Sequence, residues 1–149
     1  DAEDATRRLD RAEGAIRHDD WETAVVEATV AAAVFRRPFL TGSEGLWVER
    51  ERQRCIDALH RCYEVLSEGW RHRGDPGLAA TVATQAIEVD PLRESGHRLL
   101  IEAELARGDR AAAWRAYQRC TDLLRDDLGV EPSPRTTVLV QDPDSPGTG

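Results

Sequence analysis

Side chains able to ligate a metal, shuttle a proton or act as a nucleophile are few and scattered along this chain. The cysteines are Cys55, Cys62 and Cys120, and the histidines are His18, His60, His72 and His97. Cys55 and Cys62 stand seven positions apart, so on a helix they share a face. Helical rotation turns His60 away from that face, so the three groups do not converge into a metal site. The cysteine pair reads as two small apolar residues in a core stripe, and His18 and His72 read as helix-end residues favoured by the helix dipole. Carboxylates are abundant, but they sit three or four positions from arginines, Glu64 from Arg61 and Glu68 from Arg71 among them. That is the spacing of ion pairs on a solvated helix face, not of an acid–base couple. Thr41-Gly42-Ser43-Glu44-Gly45 has the look of a glycine loop, but it lacks the lysine and the preceding strand of a phosphate cradle. It also fails the spacing of a nucleophile elbow. The expectation is a chain that is not an enzyme, with no catalytic, cofactor-binding or metal residues and no cofactor.

The elements that carry these residues are all helical by pattern. Apolar positions recur at helical spacing, and no strand pattern precedes residue 136. Turn signals punctuate the chain. Asp20 reads as the cap of a helix starting at Trp21, and Asp75-Pro76 and Asp90-Pro91 each read as an N-cap followed by proline at the first helical position. Thr41 with Glu44 fits a capping box, and Gly108-Asp109 reads as the end of one helix and the cap of the next. Six helices follow, at about 3–18, 20–36, 44–73, 76–89, 91–107 and 110–128, with boundaries uncertain by about 2–4 residues. In the long third helix, Val48, Cys55, Leu59, Cys62, Leu66 and Trp70 form one apolar stripe. Trp21, Trp47, Trp70 and Trp114 fall near helix ends, where they serve packing between units or, alternatively, anchor a partner.

Gly74-Asp75 recurs as Gly108-Asp109 after 34 residues, which is the tetratricopeptide period. Small residues repeat in the second helix of each pair: Ala24, Ala28 and Ala31; Ala79, Ala83 and Ala86; Ala113 and Cys120 around Tyr117. They let neighbouring helices approach closely. The expected fold is therefore all-α, a tetratricopeptide-like helical repeat of three helix pairs wound as a right-handed solenoid, with units at about 5–38, 60–93 and 94–127. Residues 1–128 are expected to form the repeat domain. Residues 129–141 read as an end segment with a short or absent closing helix, anchored by Val138, Leu139 and Val140, and 142–149 as a disordered tail.

The 149 residues suffice for one hydrophobic core without disulfide or metal support. The net charge of −8 speaks against nucleic acid as the direct partner. All 20 basic residues are arginine, which reads as GC-rich coding before it reads as selection for anion contacts. No apolar run approaches the roughly 20 residues of a membrane span, and charges fill the first twenty positions where a signal peptide would lie. A cytoplasmic chain with reduced thiols is expected. Its start at Asp1 and lack of methionine suggest a piece of a longer protein.

Three stretches together resemble a known family: R-P-F-L-T-G-S-E-G-L-W-V-E-R-E-R-Q-R at 37–54, the segment 88–120 with D-P-L-R-E at its start, and L-L-R-D-D-L-G-V-E-P-S-P-R-T at 123–136. They are similar to the bacterial transcriptional activator domain of Streptomyces antibiotic regulatory protein-type regulators, over about residues 5–140. The resemblance implies an all-helical, tetratricopeptide-like module that serves dimerisation, activation and regulation. It implies a protein partner: a second copy, RNA polymerase, a sigma factor or a neighbouring regulatory domain. DNA would be reached only through a winged-helix domain that these residues do not contain. The chain departs from the family pattern after P-S-P, where Asp142-Pro143 interrupts the usual closing helix.

Stacked helix pairs offer a concave groove. Carried over from repeat geometry, the first-helix positions facing it are Arg61, Glu64, Glu68, Arg71, Arg98, Glu102 and Leu105. Two other readings compete with a transcriptional module: a general tetratricopeptide scaffold that binds peptide tails, and a ligand-sensing regulatory domain with an effector lodged between repeats.

Overall fold

The computed structural model describes residues 1–37 and 45–141. Six long helices run in order: α1 (Ala2–Arg17), α2 (Trp21–Phe35), α3 (Leu46–His72), α4 (Pro76–Val89), α5 (Glu94–Ala106) and α6 (Arg110–Leu128). A single-turn helix, α7 (Pro134–Thr137), and a 3-10 turn at Val138–Val140 close the described chain. Among the described residues there is no strand. Each helix packs on the next, and α1 on α3 and α3 on α5 form a second layer of contacts. This is a helical-repeat solenoid in which each helix pair packs on the adjacent pair.

The turns within the three pairs are built alike. Asp20, Asp75 and Asp109 each cap the following helix, accepting from the backbone N–H of Thr23, Leu78 and Ala112. The residue before each cap is left-handed: Asp19 at φ 58°, Gly74 at 87° and Gly108 at 80°. In all three, the capping aspartate's N–H donates to a carbonyl five residues back, on Ala15, Trp70 and Glu104. The 34-residue spacing of Gly-Asp thus marks a repeated turn.

Asp90-Pro91 departs from expectation. It does not open α5, which begins at Glu94 with Arg93 at its cap position. Asp90 instead ends α4, and Pro91-Leu92 form a turn closed by the Arg93 N–H donating to the Asp90 carbonyl. Arg93 pairs with the Asp90 carboxylate at 3.1 Å, occupying the side chain that would otherwise cap. Proline fits position i+1 of a turn as well as the first helical position. The capping box at Thr41 and Glu44 and the tail 142–149 lie outside the described residues; Gly45 holds the N-cap position of α3.

The small-residue triplets do what close packing requires. Ala24, Ala28, Ala31, Ala79, Ala83, Ala86, Ala113 and Cys120 are all buried. One core cluster joins α1, α2 and α3, with Val82 and Ala86 of α4; a second joins α4, α5 and α6. Trp70 is partly buried against both clusters and so bridges them. Trp21 stacks on His72 with ring centroids 4.0 Å apart, tying the start of α2 to the end of α3. Trp114 stacks on Tyr117 but stays half exposed. Leu139 and Val140 pack on the second core, while Val138 faces solvent. No described helix is long and apolar enough to cross a membrane.

Candidate functional site

The odd-numbered helices line a groove floored by α3. Two cavities open on it. One, of about 270 Å³, is lined by Glu64, Glu68 and Arg71 of α3, by Ser95, Arg98, Leu99 and Glu102 of α5, and by Arg135 of α7. The other, of about 280 Å³, lies between α1 and α3 and is lined by Glu13, Ile16, Arg17, Arg61, Glu64, Val65 and Glu68. Glu64 and Glu68 belong to both and form the ridge between them. Of the seven positions singled out in the sequence, Glu64, Glu68, Arg71, Arg98 and Glu102 lie around the first cavity and Arg61 in the second. Leu105, one turn beyond Glu102, lines neither and is partly exposed.

Side-chain pairing differs from the helix-face pattern expected. Arg61 does not pair with Glu64: it makes a bidentate bond to Glu13 of α1 at 2.8 and 2.9 Å, with Asp10 at 3.6 Å. Arg71 does not pair with Glu68: it reaches across to Glu102 of α5 at 3.3 Å. A fork-shaped guanidinium gains more from a bidentate acceptor on the facing helix than from a single contact along its own. Both arginines therefore tie adjacent helices. Glu68 is left with no hydrogen bond or ion pair among the described residues.

Glu64 has two close polar neighbours, Ser95 and the His60 ring. The ring is fully buried, and its Nδ1 stands 3.2 Å from Glu64 Oε1. The approach is too bent for a hydrogen bond, and neither ring nitrogen has such a partner. Burial pushes the Glu64 carboxyl up, but His60 and Ser95 beside it and the charge of Arg93 bring it below its ordinary value on balance. Arg93 in turn pairs with Asp57 of α3.

The far wall of the first cavity is set by a contact between two of the segments quoted above. Glu94, which ends D-P-L-R-E, accepts from the Ser133 N–H at 2.6 Å and the Ser133 hydroxyl at 2.8 Å, and also from the Thr136 hydroxyl. Arg98 donates to Thr136 Oγ1 at 3.2 Å. Burial opposes ionisation of Glu94, but hydrogen bonds from Thr136 and Ser133 outweigh it and hold the carboxyl below its ordinary value. This contact places Arg135 on the groove. Arg135 is exposed and has no pairing partner among the described residues. Sequence reasoning missed Ser95 and Leu99, although both lie on the helical stripe of Arg98 and Glu102. It missed Arg135 because no local spacing links 135 to α5.

The thiols sit in surroundings that disfavour the thiolate. Burial pushes Cys62 up to about 12 and Cys120 up to about 11, and raises Cys55 as well. A thiol so raised is protonated at neutral pH and a poor nucleophile. Among the described residues, no group of three or more histidine, cysteine or acidic side chains is arranged to hold a metal.

No curated protein matches the chain. A family model does: the bacterial transcriptional activator domain, over residues 1–142. The match agrees with the all-helical repeat and spans the segments that meet at Glu94 and Ser133. The chain belongs to the bacterial transcriptional activator domain family.

Proposed function

We propose that this domain is a non-catalytic protein-interaction, dimerisation and regulatory module of a cytoplasmic transcriptional activator. In the full activator, DNA contact would fall to a winged-helix domain, and these residues would take a protein: a second copy, RNA polymerase or a sigma factor, or a neighbouring regulatory domain. The repeat over 1–128 would form the working surface, with 129–141 as its closing segment. The observation that carries this reading is the polar groove along α1, α3 and α5, where Glu68 and Arg135 have no partner among the described residues. Charged side chains left unpaired at a concave surface are available to fix the register of a bound segment, and complementary charges govern such encounters.

Biolayer interferometry tests the reading, with immobilised chain 1–149 against purified actinobacterial RNA polymerase core, purified sigma factor and free chain. Binding to one of these is expected, weakened about tenfold by Glu68→Arg or Arg135→Glu, in line with charge reversal in a partly desolvated pair. Both residues are unpaired among the described residues, so the melting temperature should hold. Binding that neither reversal changes would remove the groove from the function, and no binding to any of the three would overturn the reading.

A further inference from the structure

We propose that Glu64 and Glu68 form the seat for a basic side chain, an arginine or lysine that the protein partner inserts between the two cavities of the groove. The inference rests on the groove reading above and gives the partner its chemistry. Five arginines and four glutamates line the two cavities, and three of the arginines are already engaged: Arg61 by Glu13, Arg71 by Glu102, and Arg98 by Thr136 and, at 3.9 Å, Glu94. The carboxylates at the centre are not. Glu68 has no partner among the described residues, and Glu64 has only the Ser95 hydroxyl and the misaligned imidazole, with no arginine paired to it. The two stand one helical turn apart on α3 and both line the two cavities, so their carboxylates share the ridge between them.

His60 is the independent sign. A wholly buried imidazole with both nitrogens unbonded is costly in a fold otherwise well satisfied. Its Nδ1 lies 3.2 Å from Glu64 Oε1, off the hydrogen-bond direction, and the ring itself lines neither cavity. A modest rotation of Glu64 would close a linear Nδ1–H···Oε1 bond and leave the other Glu64 oxygen, with Glu68, facing outward. A carboxylate held from behind by an imidazole donor is pre-organised to accept a cation in front. Guanidinium suits it best, since its planar fork of N–H donors can serve two carboxylates at once. Arg17 and Arg135, unpaired among the described residues, lie on either side of this ridge, so the groove is acidic at its middle and basic at its rims.

The probe is N-acetyl-arginine amide, titrated into isotopically labelled chain 1–149 and followed by amide chemical shifts, with N-acetyl-glutamate amide as the opposite charge. The arginine probe is expected to shift amides of residues 60–68 and 95–102 saturably. The paired Glu64→Gln and Glu68→Gln variant should weaken it about tenfold or more, the loss expected for charged hydrogen bonds, with the spectrum otherwise folded. No saturable shift, an equal response in the variant, or preferential binding of the glutamate probe would overturn the proposal. If the arginine probe fails while the complex of the preceding section forms and responds to Arg135→Glu, the basic seat falls and the groove reading stands. If the probe binds and no complex forms, the seat stands and the groove reading falls.

Discussion

Histidine 97 shows how one residue links burial to pH. Its side chain is buried on α5, and its Nε2 lies 2.7 Å from the Pro91 carbonyl, bracing the turn that replaces the expected helix start. Burial holds its pKa below the ordinary value, assisted by the charge of Arg119; the Pro91 carbonyl and Glu94 oppose this without reversing it. The folded state therefore binds fewer protons than the unfolded state once pH falls to the ordinary histidine range. Stability from this group is present above about pH 6.5 and is lost as pH falls through that value toward the lower folded pKa. Chemical denaturation of the native chain and of His97→Gln, at steps from pH 8 to pH 5, checks this. The native chain should lose stability toward pH 5 more steeply than the variant. Parallel curves would show that the histidine contributes nothing to the slope.

Helices and turns were the most legible level of this protein. The period of 34 residues, the aspartate caps and the small residues of the even-numbered helices all rest on local rules, and local rules operate within a few residues. Asp90-Pro91 was not legible, because proline's fixed φ suits a turn and a helix start equally and only Arg93 decides between them. The groove was legible as a face, since Glu64, Glu68, Arg71, Arg98 and Glu102 surround one cavity. Its ion pairs were not, because spacing along one helix says nothing of Glu13 or Glu102 on the next. Two glycine-related substitutions test the element packing with opposite signs. Asp19 alone holds with a side chain the left-handed position that Gly74 and Gly108 fill in the other pairs. Asp19→Gly should stabilise by about 0.5 kcal/mol, the relief of that conformation less the extra entropy of glycine. Gly69 sits where α3 crosses α2, and an added Cβ would come 2.7 Å from Val25 Cγ2. Val25 is stiff at χ1 and cannot turn away readily. Gly69→Ala should therefore cost about 1–3 kcal/mol. Thermal melts of the two variants would check both, and a tolerated Gly69→Ala would mean that α2 and α3 slide apart freely.

Across the whole molecule, a solenoid is only as finished as its last surface. The second core would end on α5 and α6 if Leu139 and Val140 did not pack on it. They are brought back by Glu94, whose carboxylate gathers Ser133 and Thr136 across a separation of about forty positions. One side chain thus joins two motifs, closes the repeat and sets Arg135 on the groove. Glu94→Gln keeps the shape and an oxygen where Oε1 takes all three bonds, but removes the charge that strengthens them. The local cost should be about 1.5–3 kcal/mol, the range for hydrogen bonds to a charged group. Such a loss falls on the closing segment first, because repeat contacts extend only to neighbours. Hydrogen exchange is expected to quicken at least tenfold at amides of residues 136–140 and to leave α1 and α2 unchanged. Acid should mimic the substitution. Because the folded pKa of Glu94 lies below its ordinary value, its stabilisation is present above the usual carboxylate range and is lost as pH falls through the folded pKa. Unchanged exchange at 136–140 in Glu94→Gln would assign the closure to Leu139 and Val140 packing alone, and would separate the position of Arg135 from the charge of Glu94.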